Sequence, residues 1–172
     1  AVCMLDNQKS KKRKCLEGYA LNISGLLPET SESECKTAAS AVLSPLQAKV
    51  VARVMPDENS RIQLWHAIGG CVPMNASQYF RTVINYAERL KVPTELTSPE
   101  NRTMHLTNLR LQFLRLNPAM PAGAIKFNCA AVKGTPILTE VKLCYKPNGQ
   151  YKQCSTAVET NCPNTFTIKG SY

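Results

Sequence analysis

Hydrophobic residues recur along this chain with two different periods, helical up to about residue 116 and strand-like beyond 125. In "SPLQAKVVARVMP" Ser44 is placed as an N-cap, Pro45 at the first helical position and Gln47 to complete a capping box. Leu46, Val50, Val51 and Val54 then make one apolar stripe, and Pro56 stops the predicted helix. The segment "NASQYFRTVINYAERL" places Tyr79, Phe80, Val83, Ile84, Ala87 and Leu90 on one helical face, ahead of Pro93. That spacing assigns the two aromatics to a core rather than to a ligand. Residues 94–103 read as a polar loop, and 104–116 as a further helix with Leu106, Leu109, Phe113 and Leu116 together.

In "PILTEVKLCY" Ile137, Val141, Leu143 and Tyr145 alternate with polar residues, the pattern of a half-buried strand. Asn148-Gly149 marks a hairpin turn into "QYKQC", and a three-residue loop there would set Cys144 opposite Cys154. Earlier, "YALNISGLLPE" reads as a short strand ending in a turn at Pro28. With no internal repeat, linker or low-complexity segment, the economical organisation is one α+β domain over 1–172.

Composition adds a compartment. The chain has 172 residues, 44% hydrophobic and 19% charged, enough for an ordinary core. No apolar run reaches the roughly 18 residues a spanning helix needs, so no membrane insertion is expected. No basic-then-apolar leader precedes Ala1, and the chain is expected to be a mature form. Its 8 cysteines contain no C-x-x-C pair, which removes zinc and thioredoxin-type readings and favours four disulfides among the roughly 105 possible pairings. N-x-S/T sequons at Asn22, Asn75 and Asn101 fit the same secretory route, with N-glycans expected. The expected location is secreted or vacuolar.

Charge adds a candidate surface. The net charge is +9, and "KSKKRK" supplies Lys9, Lys11, Lys12, Arg13 and Lys14 within a basic loop over 4–14. Such a run is either a solvated loop or a patch for a polyanion or an acidic protein, since charge alone names no partner.

"NISGLLP" at 22–28 and "QLWHAIGGC" at 63–71 resemble the two signature motifs of the ribonuclease T2 family, T-I-H-G-L-W-P and H-E-W-x-K-H-G-T-C. The tail "LTEVKLCYKPNGQYKQC" followed by "NCP" resembles the plant-type ending of the same family. "VMP" at 54–56 stands where the family often has Trp-Pro, and the similarity covers about residues 15–165. The resemblance implies a twisted antiparallel sheet flanked by helices, stapled by disulfides. It implies the pairs Cys35–Cys71, Cys129–Cys162 and Cys144–Cys154, leaving Cys3 with Cys15, which would close the basic loop. It implies no cofactor and no metal.

Family members cleave RNA through attack of the ribose 2′-OH, with two histidines as base and acid and with Glu and Lys steadying the charge. Carried onto this chain, those positions are Ser24, Gln63, Leu64, Ala67 and Ile68, none of which retains the family's group. Ile68 can neither accept nor donate a proton. Of the two histidines present, His66 lies two residues before the second motif's histidine position, about 200° around a helix, and His105 has no partner motif. The expectation is therefore a chain that is not an enzyme: a ribonuclease-like pseudoenzyme serving storage or defence. The alternatives are a polyanion- or RNA-binding module using the basic loop, and a weak residual endoribonuclease dependent on His66. Met55 and Leu27 replace two family tryptophans, which argues against base stacking.

Overall fold

The computed structural model describes residues 23–28 and 34–170. The basic loop 4–14, with Lys9, Lys11, Lys12, Arg13 and Lys14, lies outside the described residues, as do Asn22 and the Cys3–Cys15 pair. Contacts divide the described residues into two units, one up to Arg89, the 22–89 unit, and one from Leu90 onward.

The 22–89 unit is helical. Helix α1 (Pro45–Ala52) starts as its sequence predicts, with the Ser44 side chain accepting from the Gln47 amide. The capping box does not close, because the Gln47 side chain turns to Ser77, donating to its carbonyl at 2.8 Å and accepting from its hydroxyl at 2.9 Å. Leu46 also departs from the expected stripe and is 76% exposed, whereas Val51 and Met55 are buried. An eight-residue helix ending at Ala52 has room to aim only its last turn inward, and it stops before Pro56 is reached.

Helix α2 (Glu58–Ile68) begins on Asp57, whose carboxylate accepts from the Ser60 amide at 2.8 Å. Helix α3 (Ala76–Arg89) begins on Asn75, which exchanges two hydrogen bonds with Gln78: Gln78 N donates to Asn75 Oδ1, and Asn75 N donates to Gln78 Oε1. Tyr79, Phe80 and Val83 of α3 pack with Val51, Met55, Trp65 and Ala76 in one core. Ile84 borders that core, while Leu90, beyond the end of the helix, packs in the other unit's core.

The second unit holds a four-stranded sheet. Its strands are β1 (Arg102–His105), β2 (Ile125–Val132), β3 (Thr135–Leu143) and β4 (Thr165–Ile168), in the order β1-β4-β3-β2. The α+β class is as expected, with β1–β4 and β2–β3 antiparallel and one parallel pairing, Ile137 with Thr167. Helix α4 (Leu106–Leu116) buries Leu109 and Phe113 against Ile125, Phe127, Leu138 and Phe166. Leu116 is 41% exposed rather than part of that face, and Met104 and His105 belong to β1 rather than to the helix.

The alternation predicted for β3 holds only over its second half. The register slips between Asn128 and Cys129, so that Asn128 faces Glu140 but Cys129 faces Leu138. The extra residue, Thr139, reverses the alternation: Leu138, Val141 and Leu143 share the core, and Ile137, although buried, is not part of it. The turn at 148–149 forms as expected, with Gly149 at φ +87°, Lys146 N donating to Gln150 O and Tyr145 paired with Tyr151. Here Lys152 N donates to Cys144 O, so Cys144 stands opposite Lys152, and the bridge to Cys154 runs diagonally.

Three disulfides, Cys35–Cys71, Cys129–Cys162 and Cys144–Cys154, are formed in the pairs the resemblance implied. No helix among the described residues is long and apolar enough to cross a membrane.

Candidate functional site

The two motif segments meet in the 22–89 unit. Residues 23–28 are not a regular strand, as their sequence had suggested. Single hydrogen bonds tie them down instead of a ladder: Ile23 N donates to Val54 O at 2.8 Å. Tyr79 holds Leu26 from both sides, its hydroxyl accepting from Leu26 N at 2.9 Å and donating to Leu26 O at 2.8 Å. The Tyr79 ring is buried between Trp65, 5.7 Å away centroid to centroid, and Phe80, at 5.0 Å. Burial pushes its hydroxyl up to about 12, against a smaller opposing effect of the Leu26 hydrogen bond. The sequence marks Tyr79 as core but not as a clamp. The usable signal is that a buried tyrosine hydroxyl requires a polar partner.

The second motif occupies the end of α2 and the 3₁₀ turn Gly69–Cys71 that follows it. Trp65 is buried and donates from Nε1 to Ala39 O at 3.0 Å. Gly70 lets the backbone of 35–36 pass: a Cβ there would sit 2.7 Å from Lys36 O and 2.9 Å from Cys35 O. The Gly70 amide donates to Cys35 O, beside the Cys35–Cys71 bridge.

Of the five positions carried over from the resemblance, Ser24, Gln63 and Ala67 are exposed, and Leu64 and Ile68 are half-buried against the helical core. Leu64 also contacts the first motif, since a Cβ built on Gly25 would lie 2.7 Å from Leu64 Cδ2. The structure thus joins the two motifs through Gly25 and Leu64, an apolar contact. Met55 is buried in the core and offers no face for stacking, whereas Leu27 is 67% exposed.

His66 is turned toward 35–39. Its Nδ1 lies 2.9 Å from Thr37 O, and Thr37 N donates back to His66 O at 2.9 Å. A carbonyl only accepts, so Nδ1 carries a proton, and in the uncharged tautomer this leaves Nε2 as the acceptor. His105, exposed at the end of β1, has its Nδ1 3.2 Å from Thr165 Oγ1. The sequons at Asn75 and Asn101 are both exposed, and both use Oδ1, Asn75 as the cap of α3 and Asn101 in accepting from Gly170 N. Among the described residues no three of His, Cys, Asp and Glu gather where a metal could be held.

No family model matches this chain, and no curated protein matches it in sequence. Solved structures do match in fold. A point mutant of RNase MC1 in complex with 5′-UMP superposes with a TM-score of 0.65 at 16% identity, over 84% of this chain and 81% of that one. The S3-RNase of Japanese pear superposes with a TM-score of 0.61 at 19% identity, over 86% of this chain and 84% of that one. Both are T2 ribonucleases. That finding overturns the expectation that the chain is not an enzyme, since the structures whose fold it shares are ribonucleases. Helices, sheet, disulfide frame and structural neighbours agree, and the chain has the fold of the T2 ribonucleases.

Proposed function

We propose that this chain is a disulfide-bonded protein of the secretory route that acts on RNA, and that its cleavage chemistry runs through His66 rather than through the family's histidine pair. The observation that carries the proposal is the match to two ribonuclease structures over more than four-fifths of each chain. One of those neighbours holds a uridine nucleotide, which makes single-stranded, uridine-containing RNA the substrate to try first. His66 enters because its ring is oriented by Thr37 O, leaving Nε2 the acceptor that a general base requires. Leu64 and Ala67 stand where the resemblance puts the family's carboxylate and ammonium groups, and neither can steady a charged intermediate. The rate is therefore expected to be low; general acid–base catalysis by itself supplies about 10²–10⁴-fold.

The test is cleavage of an oligouridylate, read by mass spectrometry for 2′,3′-cyclic phosphate ends. The purified protein is compared with its His66→Ala and His105→Ala variants. Activity that survives purification and His105→Ala but falls at least tenfold in His66→Ala supports the proposal. Equal activity in all three proteins removes His66 from the mechanism, and no cyclic phosphate from any of them removes the ribonuclease reading.

A further inference from the structure

The net charge of this protein is not evenly spread. Residues 22–89 carry six Lys/Arg and six Asp/Glu, a balance of zero, whereas residues 90–172 carry ten and four, a net of +6. The excess in the second unit falls partly on one face of its β-hairpin.

On β2 and β3 the residues Ile125, Phe127, Val141 and Leu143 pack into the core. Strand alternation therefore puts Lys126, Asn128, Glu140 and Lys142 on the opposite face. The register sets Lys126 directly across from Lys142, and Asn128 across from Glu140. Beyond the end of β3 the pairing resumes at Tyr145 and Tyr151, whose rings stack at 5.1 Å with Tyr151 against the core. Lys146 and Lys152, each one residue further on, consequently share the face of Lys126 and Lys142. The Cys144–Cys154 bridge holds this extension in register.

Like charges directly opposite on neighbouring strands cost stability, so the Lys126–Lys142 pair works against the hairpin it sits on. A bound anion between the two ammonium groups removes that cost. From Lys142 to Lys146 the row runs about 13 Å along the chain at ~3.3 Å per residue, long enough for more than one phosphate. Lys126 and Lys142 are half-buried and Lys146 exposed, and Glu140, an acid on the same face, sits at the far end from Lys146. Among the described residues the face carries no aromatic ring, the tyrosine pair being on the other side, so it contacts charge and not bases.

We infer that Lys126, Lys142, Lys146 and Lys152 form a sequence-independent binding row for the phosphate backbone of single-stranded RNA. The inference rests on the reading of RNA as the ligand. It moves the main polyanion surface from the loop at 9–14 to a disulfide-braced hairpin far along the chain.

The test uses a fluorescent 15-nucleotide oligouridylate with 2′-O-methyl riboses, which the protein cannot consume by 2′-OH attack. Its affinity is followed by anisotropy against salt. Each lysine–phosphate contact on a single strand contributes about 0.7 to the slope of log K against log salt. The triple variant Lys126→Gln, Lys142→Gln, Lys146→Gln, checked for native circular dichroism, is expected to lower that slope by about 2 and to bind at least tenfold more weakly in 50 mM salt. The single variant Lys142→Gln is expected to lower the slope by about 0.7, which guards against misfolding of the triple. A triple variant with the original slope, or a larger loss from Lys11→Gln, Lys12→Gln, Arg13→Gln, overturns the lysine row alone. Failure of the unaltered protein to bind overturns the RNA reading and the row with it. Stronger competition by polygalacturonate than by RNA of equal charge overturns the choice of partner.

Discussion

Replacing Tyr79 by phenylalanine isolates what holds the first motif in place. The ring contacts with Trp65 and Phe80 survive the change, and only the hydroxyl is lost, so the core itself is not cut. The hydroxyl makes two hydrogen bonds to Leu26, one with each backbone polar group. At about 0.5–1.5 kcal/mol for each net bond, the variant is expected to be about 2 kcal/mol less stable at pH 7. In a chain of this length that is a fall in Tm of about 4–8 °C.

The same hydroxyl gives a pH signature. An unfolded tyrosine ionises near pH 10, and burial raises Tyr79 to about 12 in the native protein. Its folded pKa lies above the unfolded one, so the stabilisation by the neutral hydroxyl is whole below pH 10 and is lost as pH rises toward 12. Between those limits the loss is about 1.4 kcal/mol per pH unit. Urea unfolding of the native protein and of Tyr79→Phe at matched pH values cancels the titration of the lysines and other tyrosines. The difference between the two proteins should be about 2 kcal/mol at pH 7 and should shrink steadily above pH 10. A difference below about 0.5 kcal/mol at pH 7, or one that stays constant through pH 12, would refute the clamp.

Two further expectations concern the frame. In protein made without N-glycans, Asn75→Ala removes the acceptor for Gln78 N and should destabilise α3 by about 1 kcal/mol, whereas Asn75→Asp keeps an acceptor and should lie within about 0.5 kcal/mol of the original; thermal unfolding compares them. Cys35 and Cys71 are 36 residues apart and Cys144 and Cys154 are 10 apart. Loop-closure entropy therefore predicts a loss of about 4 kcal/mol for the paired serine substitution of the first bridge and about 3 kcal/mol for the second, with urea midpoints in that order. A reversed order would show that native contacts, not chain entropy, set the contribution of each bridge.

The sequence was legible where a local signal decided the structure. Ser44 and Pro45 start α1, and Asn148-Gly149 makes the turn, because each acts on its immediate neighbours. Asp57 before Ser60 was an equally clear start for α2 and could have been used as one. The misreadings came from longer range. Strand β1 is short, mostly exposed and paired with residues 60 or more positions away, so no alternation within 102–105 betrays it. The bulge at Thr139 is invisible to periodicity, which assigns Ile137 to the same face as Val141. Leu46 and Leu116 continue helical stripes past the point where the core ends, and a stripe in sequence carries no information about where its partner stops.

The same distinction bears on the motif positions. The resemblance implies that residues 24, 63, 64, 67 and 68 stand where the family has its reacting groups, but not what these side chains do here. In the fold they divide by environment. Ser24, Gln63 and Ala67 are exposed and could accept polar substitutes at little cost. Leu64 lies against Gly25, and Ile68 borders the core of Trp65 and Phe80, so both now bury apolar surface. A Leu64→Glu or Ile68→His change would remove that packing and push an ionisable group toward an apolar environment, which disfavours its charged form. A variant rebuilt with the family's residues could therefore fail for reasons of stability alone, and its inactivity would say nothing about the native chain. His66 avoids that ambiguity, because its imidazole is already held by Thr37 O and removing it tests a group that the protein has rather than one it has been given.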